Sequence, residues 1–170
     1  LMESLVVILD VSSTMCEGST KKLEDSIQAV KLLVQQKMIF KKKDEIGLVL
    51  FGSDETFNSL QDDGYEHIYV TRDICIPTID FVRDIQDIKP GSNEGDFVDA
   101  LIVGMDMLVA KAQKKASPRL FLITNAASPA NTDSLEVVLE QLKKMNAELN
   151  IIGIDFSPEE ELEGVKVEEG

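Results

Sequence analysis

Leu5-Val6-Val7-Ile8-Leu9 is an unbroken apolar run that stops at Asp10-Val11-Ser12-Ser13-Thr14, and few patterns constrain a fold as tightly. A strand with one wet face alternates apolar and polar residues, whereas a strand apolar at every position has to be covered on both sides. The run therefore predicts a strand inside a parallel sheet with helices on either face. Ligands of such sheets gather at the carboxyl ends of the strands. Asp10, Ser12 and Thr14, three oxygen-bearing side chains at alternate positions, stand at that end.

The remaining patterns continue the alternation. Leu23, Ile27, Val30, Val34 and Met38 recur at three- and four-residue spacing and predict an amphipathic helix over about 20–40. Lys41, Lys42 and Lys43 follow, where cations complement a helix carboxyl terminus. Residues 46–51 read as a second strand, 68–74 as a more polar edge strand, 120–125 as a fourth and 149–154 as a fifth. Between the second and third lies a long polar connection, 52–67, with Asp54, Glu55, Asp62, Asp63 and Glu66; connections of this length in compact domains commonly carry function. Pro77 opens a short helical pattern through Phe81, Ile85 and Ile88. Leu135, Leu139 and Leu142 mark a helix over 133–146. The helix expected over 96–114 is apolar on more than one stripe, so it is read with one face in the core and a second strip, around Ile102 and Met105, available to another molecule. A helix buried between neighbours is the competing reading. The class is α/β, a three-layer doubly wound, Rossmann-like sheet, mostly parallel with one antiparallel edge strand. Residues 1–156 form the domain, and the Glu-rich 157–170 is expected to be loop or mobile.

Charge narrows the function. With 17 Lys+Arg against 31 Asp+Glu the formal net charge is −14, which repels nucleic-acid phosphate and anionic lipid and attracts basic partners. Cys16, Cys75 and the lone His67 make no zinc pattern, and both thiols are expected to be inert in a reducing compartment. No apolar run approaches the roughly 18 residues of a membrane span, and neither a secretory leader nor a membrane partner is expected.

Asp10-x-Ser12-x-Thr14 after a first strand, an apolar helix after Pro90-Gly91-Ser92, and Thr124-Asn125 ending a strand resemble the von Willebrand factor A domain. The resemblance implies a magnesium-dependent adhesion site built from that first loop, a Thr ahead of the central helix and an Asp after the fourth strand. Here the Thr position falls on Gly95 or Asp96 and the Asp position on Asn125, so the site at Asp10, Ser12, Thr14 and Asn125 is degenerate, and neither a metal nor another cofactor is expected. Asp10-Val11-Ser12 also resembles a haloacid-dehalogenase-type phosphotransferase loop, but Ser12 replaces the general acid, so no catalytic residue is assigned.

A narrower resemblance rests on two blocks, residues 43–54 (Lys43-Asp44-Glu45-Ile46-Gly47 through Ser53-Asp54) and residues 90–106 (Pro90-Gly91-Ser92 and Asp96-Phe97-Val98-Asp99-Ala100-Leu101). Over about residues 4–155 the chain is similar to the amino-terminal domain of the larger subunit of the Ku heterodimer. That resemblance implies a nuclear, non-enzymatic recruitment domain in non-homologous end joining. Its implied partners are the smaller Ku subunit and repair factors carrying short basic-hydrophobic motifs, with DNA ends held only by later domains. It places the motif groove at the long loop and central helix, over Leu60, Tyr65, Asp96, Ile102, Met105 and Asp106, and departs at Phe121, where the family position is commonly acidic. A magnesium-dependent adhesion domain is the alternative.

Overall fold

A computed structural model describes residues 1–155 and the backbone of 167–169. Strands β1 (Glu3–Asp10), β2 (Glu45–Phe51), β3 (Ile68–Cys75), β4 (Ser117–Thr124), β5 (Glu148–Gly153) and β6 (Val167–Glu169) form one sheet in the order β3-β2-β1-β4-β5-β6. Every pairing is parallel except β2 with β3. The helices are α1 (Lys21–Phe40), α2 (Ile79–Gln86), α3 (Phe97–Lys111) and α4 (Leu135–Lys144).

The uniform apolar strands are central for the reason anticipated. In β1 the side chains alternate between two cores: Val6 and Ile8 face α3 and α4, while Leu5, Val7 and Leu9 face α1 and α2. All seven residues of β2 are buried, whereas β3 is mostly half-buried, as an edge strand should be. Two register irregularities between β2 and β3 add local twist to that edge. Gly104 lets α3 lie close over β1, because a Cβ there would sit 2.8 Å from the Ile8 Cδ1. Gly52, at φ +76, turns the chain out of β2 where a Cβ would be 2.5 Å from that of Ser12.

Three expectations need correction. The central helix stops at Lys111 rather than 114, because Ala112 leaves helical geometry with ψ 139. Its second strip is half covered rather than fully open: Ile102 and Met105 pack partly against the core cluster on that sheet face, while Val109, 69 % exposed, is the large apolar side chain that projects. The tail is not irregular throughout, since Val167–Glu169 adds a parallel strand to β5; residues 157–166 and 170 lie outside the described residues. No helix among the described residues is long and apolar enough to cross a membrane.

Candidate functional site

β1 and β4 end side by side, and the turns leaving them interlock through polar side chains. Asp10, 1 % exposed, is the hub. Its Oδ1 accepts the Ser12 N–H at 2.9 Å and its Oδ2 accepts the Thr124 hydroxyl at 2.6 Å. Ser128 donates to the Ser12 hydroxyl at 3.4 Å, the Ser12 and Thr14 hydroxyls are 2.9 Å apart, and Thr14 donates to Asn125 Oδ1 at 3.2 Å. Asn125 returns a bond from Nδ2 to the Thr14 carbonyl at 3.2 Å. Burial pushes the Asp10 carboxyl above its ordinary value, and the hydrogen bonds from Ser12 and Thr124 oppose the rise without cancelling it.

The four residues of the degenerate metal site are thus brought together, but they are directed at one another. A divalent cation needs several oxygens, carboxylates among them, converging on one centre. Asn125 offers an amide, Gly95 offers no side chain, and both Asp10 oxygens already accept bonds. Asp96 faces elsewhere as the N-cap of α3: Oδ1 accepts the Val98 and Asp99 N–H groups at 2.9 and 3.2 Å, and Oδ2 accepts the Asn131 N–H at 2.8 Å. Among the described residues no group of three or more His, Cys, Asp or Glu side chains is placed to hold a metal. The donors present do not fit magnesium.

The 52–67 connection is tied down along its length. Phe57 pairs with the outer edge of β3, donating to the Ile68 carbonyl at 3.0 Å and accepting from the Val70 N–H at 2.8 Å. The buried Asn58 amide donates to the Tyr65 and Ile68 carbonyls at 3.0 and 2.9 Å and accepts the Leu60 N–H at 2.9 Å. Ser59 then donates to Asp106 Oδ2 at 2.6 Å, fastening the loop to α3.

Four residues of the expected groove lie on the α3 side of the sheet. Leu60 and Tyr65 from the loop, with Ile102 and Met105 from α3, are all half-buried against the same core cluster. Burial raises the Tyr65 phenol, and the Asp99 and Asp63 carboxylates raise it further. Burial also raises the Asp99 carboxyl, helped by Asp96. Asp99, a polar break in the apolar pattern of α3, thus acts on the Tyr65 phenol through its charge. Asp96 does not join the apolar shoulder, because its carboxylate is committed to the cap.

Asp106 lines a separate groove of about 690 Å³ between the loop, β3 and α3, whose apolar wall is Phe57, Val70, Met107 and Ala110. Phe57, 60 % exposed with its ring 5.8 Å from that of Tyr69, was overlooked in the sequence. Phe121 packs with the α1-side core, on the sheet face away from α3. Cys16 and Cys75 are half-buried, unpaired thiols that burial raises above the ordinary range.

The comparisons with known proteins agree with this architecture. A family model described as the Ku70/Ku80 N-terminal alpha/beta domain matches residues 4–162. X-ray repair cross-complementing protein 5 of Dictyostelium discoideum is 47 % identical over 167 residues, which are 94 % of this chain and 21 % of that protein. ATP-dependent DNA helicase 2 subunit KU80 of Oryza sativa subsp. japonica is 34 % identical over 160 residues, 88 % of this chain and 23 % of that protein. The chain thus spans about a fifth of the length of these relatives. Among solved structures, the SpRpn10 VWA domain superposes with a TM-score of 0.72 at 17 % identity, covering 93 % of this chain and 78 % of that one, a likeness of fold alone.

Proposed function

This chain belongs to the Ku70/Ku80 N-terminal alpha/beta domain family, and from that premise we propose that it is the recruitment domain of a Ku DNA-end-binding complex in non-homologous end joining. It docks short basic-hydrophobic motifs of repair factors. In the full-length protein it works with the smaller Ku subunit, in the nucleus, and leaves DNA ends to regions beyond these 170 residues. Its own role is non-catalytic; the names of some relatives include a helicase, but the 170 residues hold no G-x-x-x-x-G-K-[S/T] phosphate loop.

The observation that carries the reading is the loop fastened to α3 by Ser59 and Asp106, which holds Leu60, Tyr65, Ile102 and Met105 as a partly exposed apolar shoulder. An apolar anchor seated there supplies most of the affinity, roughly 2 kcal/mol or more for a central contact. The net charge of −14 steers basic segments in and keeps nucleic acid out.

The test is fluorescence anisotropy with a labelled basic peptide carrying an aromatic anchor, in magnesium and in EDTA. Binding is expected in both buffers, with loss in Ile102→Arg and Leu60→Arg. Binding that disappears only in EDTA would restore the adhesion reading, and no binding in either buffer would refute the recruitment reading.

A further inference from the structure

Helix α1 is apolar on two sides. Leu23, Val30 and Val34 are buried against the sheet, as the three- and four-residue spacing requires. On the opposite side Leu32, Ile39 and Phe40 are 58, 63 and 76 % exposed, and at i, i+7 and i+8 they share one face. A surface helix of a folded domain keeps its outer face polar, so this second strip covers nothing within the domain.

The charge beside the strip is the reverse of that of the whole molecule. Five of the 17 Lys+Arg fall within residues 26–43, as Lys31, Lys37, Lys41, Lys42 and Lys43, and none of the 31 Asp+Glu does. Lys37 is taken by Glu3 and Asp44. The other four form no ion pair among the described residues, and Lys41, Lys42 and Lys43 are exposed directly beyond Phe40.

We propose that the outer face of α1 is a second docking surface and that its occupant is an acidic amphipathic helix of another protein. Apolar side chains of that helix cover Leu32, Ile39 and Phe40, and its Asp or Glu residues meet Lys41, Lys42 and Lys43.

Charge complementarity decides the occupant. A basic motif of the kind proposed for the shoulder is repelled at these lysines. Duplex nucleic acid would satisfy them but leave the three apolar side chains uncovered, and the net charge of −14 opposes its approach. A second copy meeting this one about a two-fold axis would bring the same basic face to itself, lysine against lysine. An acidic amphipathic helix meets both demands, with an apolar centre and an ion-paired rim that steers encounter. Leu32 to Phe40 spans about 12 Å at ~1.5 Å per residue, and Lys43 lies about one turn further, so a partner helix of about 12 residues covers the face. Because α1 and α3 pack on opposite faces of the sheet, both surfaces can be filled at once, and this inference stands whether or not the shoulder docks a motif.

The probe is a labelled synthetic 16-mer helix with a row of Leu on one face and Glu beside it, and its counterpart with Lys for Glu. In fluorescence anisotropy the parent chain is expected to bind the Glu peptide at least 10-fold more tightly than the Lys peptide. Ile39→Gln/Phe40→Gln is expected to weaken that binding at least 10-fold, and Lys41→Glu/Lys42→Glu/Lys43→Glu to reverse the preference, both with the melting temperature preserved. Affinities for the two peptides within twofold of each other, or a loss of less than twofold in Ile39→Gln/Phe40→Gln, would overturn the proposal. So would failure of the parent chain to bind the Glu peptide, displacement of the peptide by duplex DNA, or a dimer of the parent chain in sedimentation that Ile39→Gln/Phe40→Gln abolishes.

Discussion

Asn58→Ala isolates the device that presents the proposed surface. The side chain is 7 % exposed and makes three bonds, to the Tyr65 and Ile68 carbonyls and from the Leu60 N–H. Each is worth about 1 kcal/mol net, and a buried group left unpaired costs more. The Ile68 carbonyl keeps its bond from Phe57 N–H at 3.0 Å, so the effective loss is two bonds, about 2 kcal/mol. If the loop and core unfold together, the melting temperature falls by about 4–8 °C. If the loop opens alone, its opening becomes about 30-fold more frequent. Amide exchange at Val70 separates these cases cleanly, because its bond to the Phe57 carbonyl is untouched by the substitution. Exchange at Val70 within threefold of the parent, together with a melting temperature within about 1 °C, would refute the view that Asn58 organises the loop.

Two further substitutions test charge and capping. Lys37 lies between Glu3 and Asp44, 2.7 Å from Asp44 Oδ2. Burial pulls the ammonium down, but the hydrogen bonds to Asp44 and Glu3 outweigh it and leave Lys37 above its ordinary 10.5. Burial likewise pushes Asp44 up, but the bond from Lys37 and that from the Glu3 N–H outweigh it and leave the carboxyl below 3.8. The Asp44 contribution is therefore complete above pH 3.8 and lost as pH falls through its lower folded value, while that of Lys37 persists until pH rises beyond 10.5. Lys37→Met is expected to cost about 2–4 kcal/mol at pH 7 by urea unfolding, with the gap closing towards pH 3; an equal gap at both pH values would contradict the ion pair. Asp96→Ala removes the cap of α3 and the bond from Asn131 and is expected to cost about 1–2 kcal/mol, whereas Asp96→Asn retains most of the cap. Peptide affinity should stay within twofold in Asp96→Asn, and a larger loss would return Asp96 to the binding surface.

The fold was legible because burial leaves a periodic imprint on each element. The continuous apolar run of β1, the mixed pattern of β3 and the three- and four-residue spacing of α1 each state how many faces are covered. The candidate site is a different matter. Leu60, Tyr65, Ile102 and Met105 do pack against one core cluster, yet Asp96 before an apolar helix carried an N-cap signal that the family resemblance overrode. Phe57 and the grooves beside β3 were missed because nothing periodic marks them.

By itself, then, the sequence determined the alternation of strands and helices, the edge position of β3 and the acidic surface. All of these follow from residue type and local spacing. Only the tertiary structure decided which polar groups are occupied. Asp10 is met by Thr124 from 114 residues away, and Asp106 by Ser59 from 47. A carboxylate becomes a ligand site or a structural acceptor according to the donors that distant loops bring to it, and hydrogen-bond satisfaction of that kind has no signature along the chain.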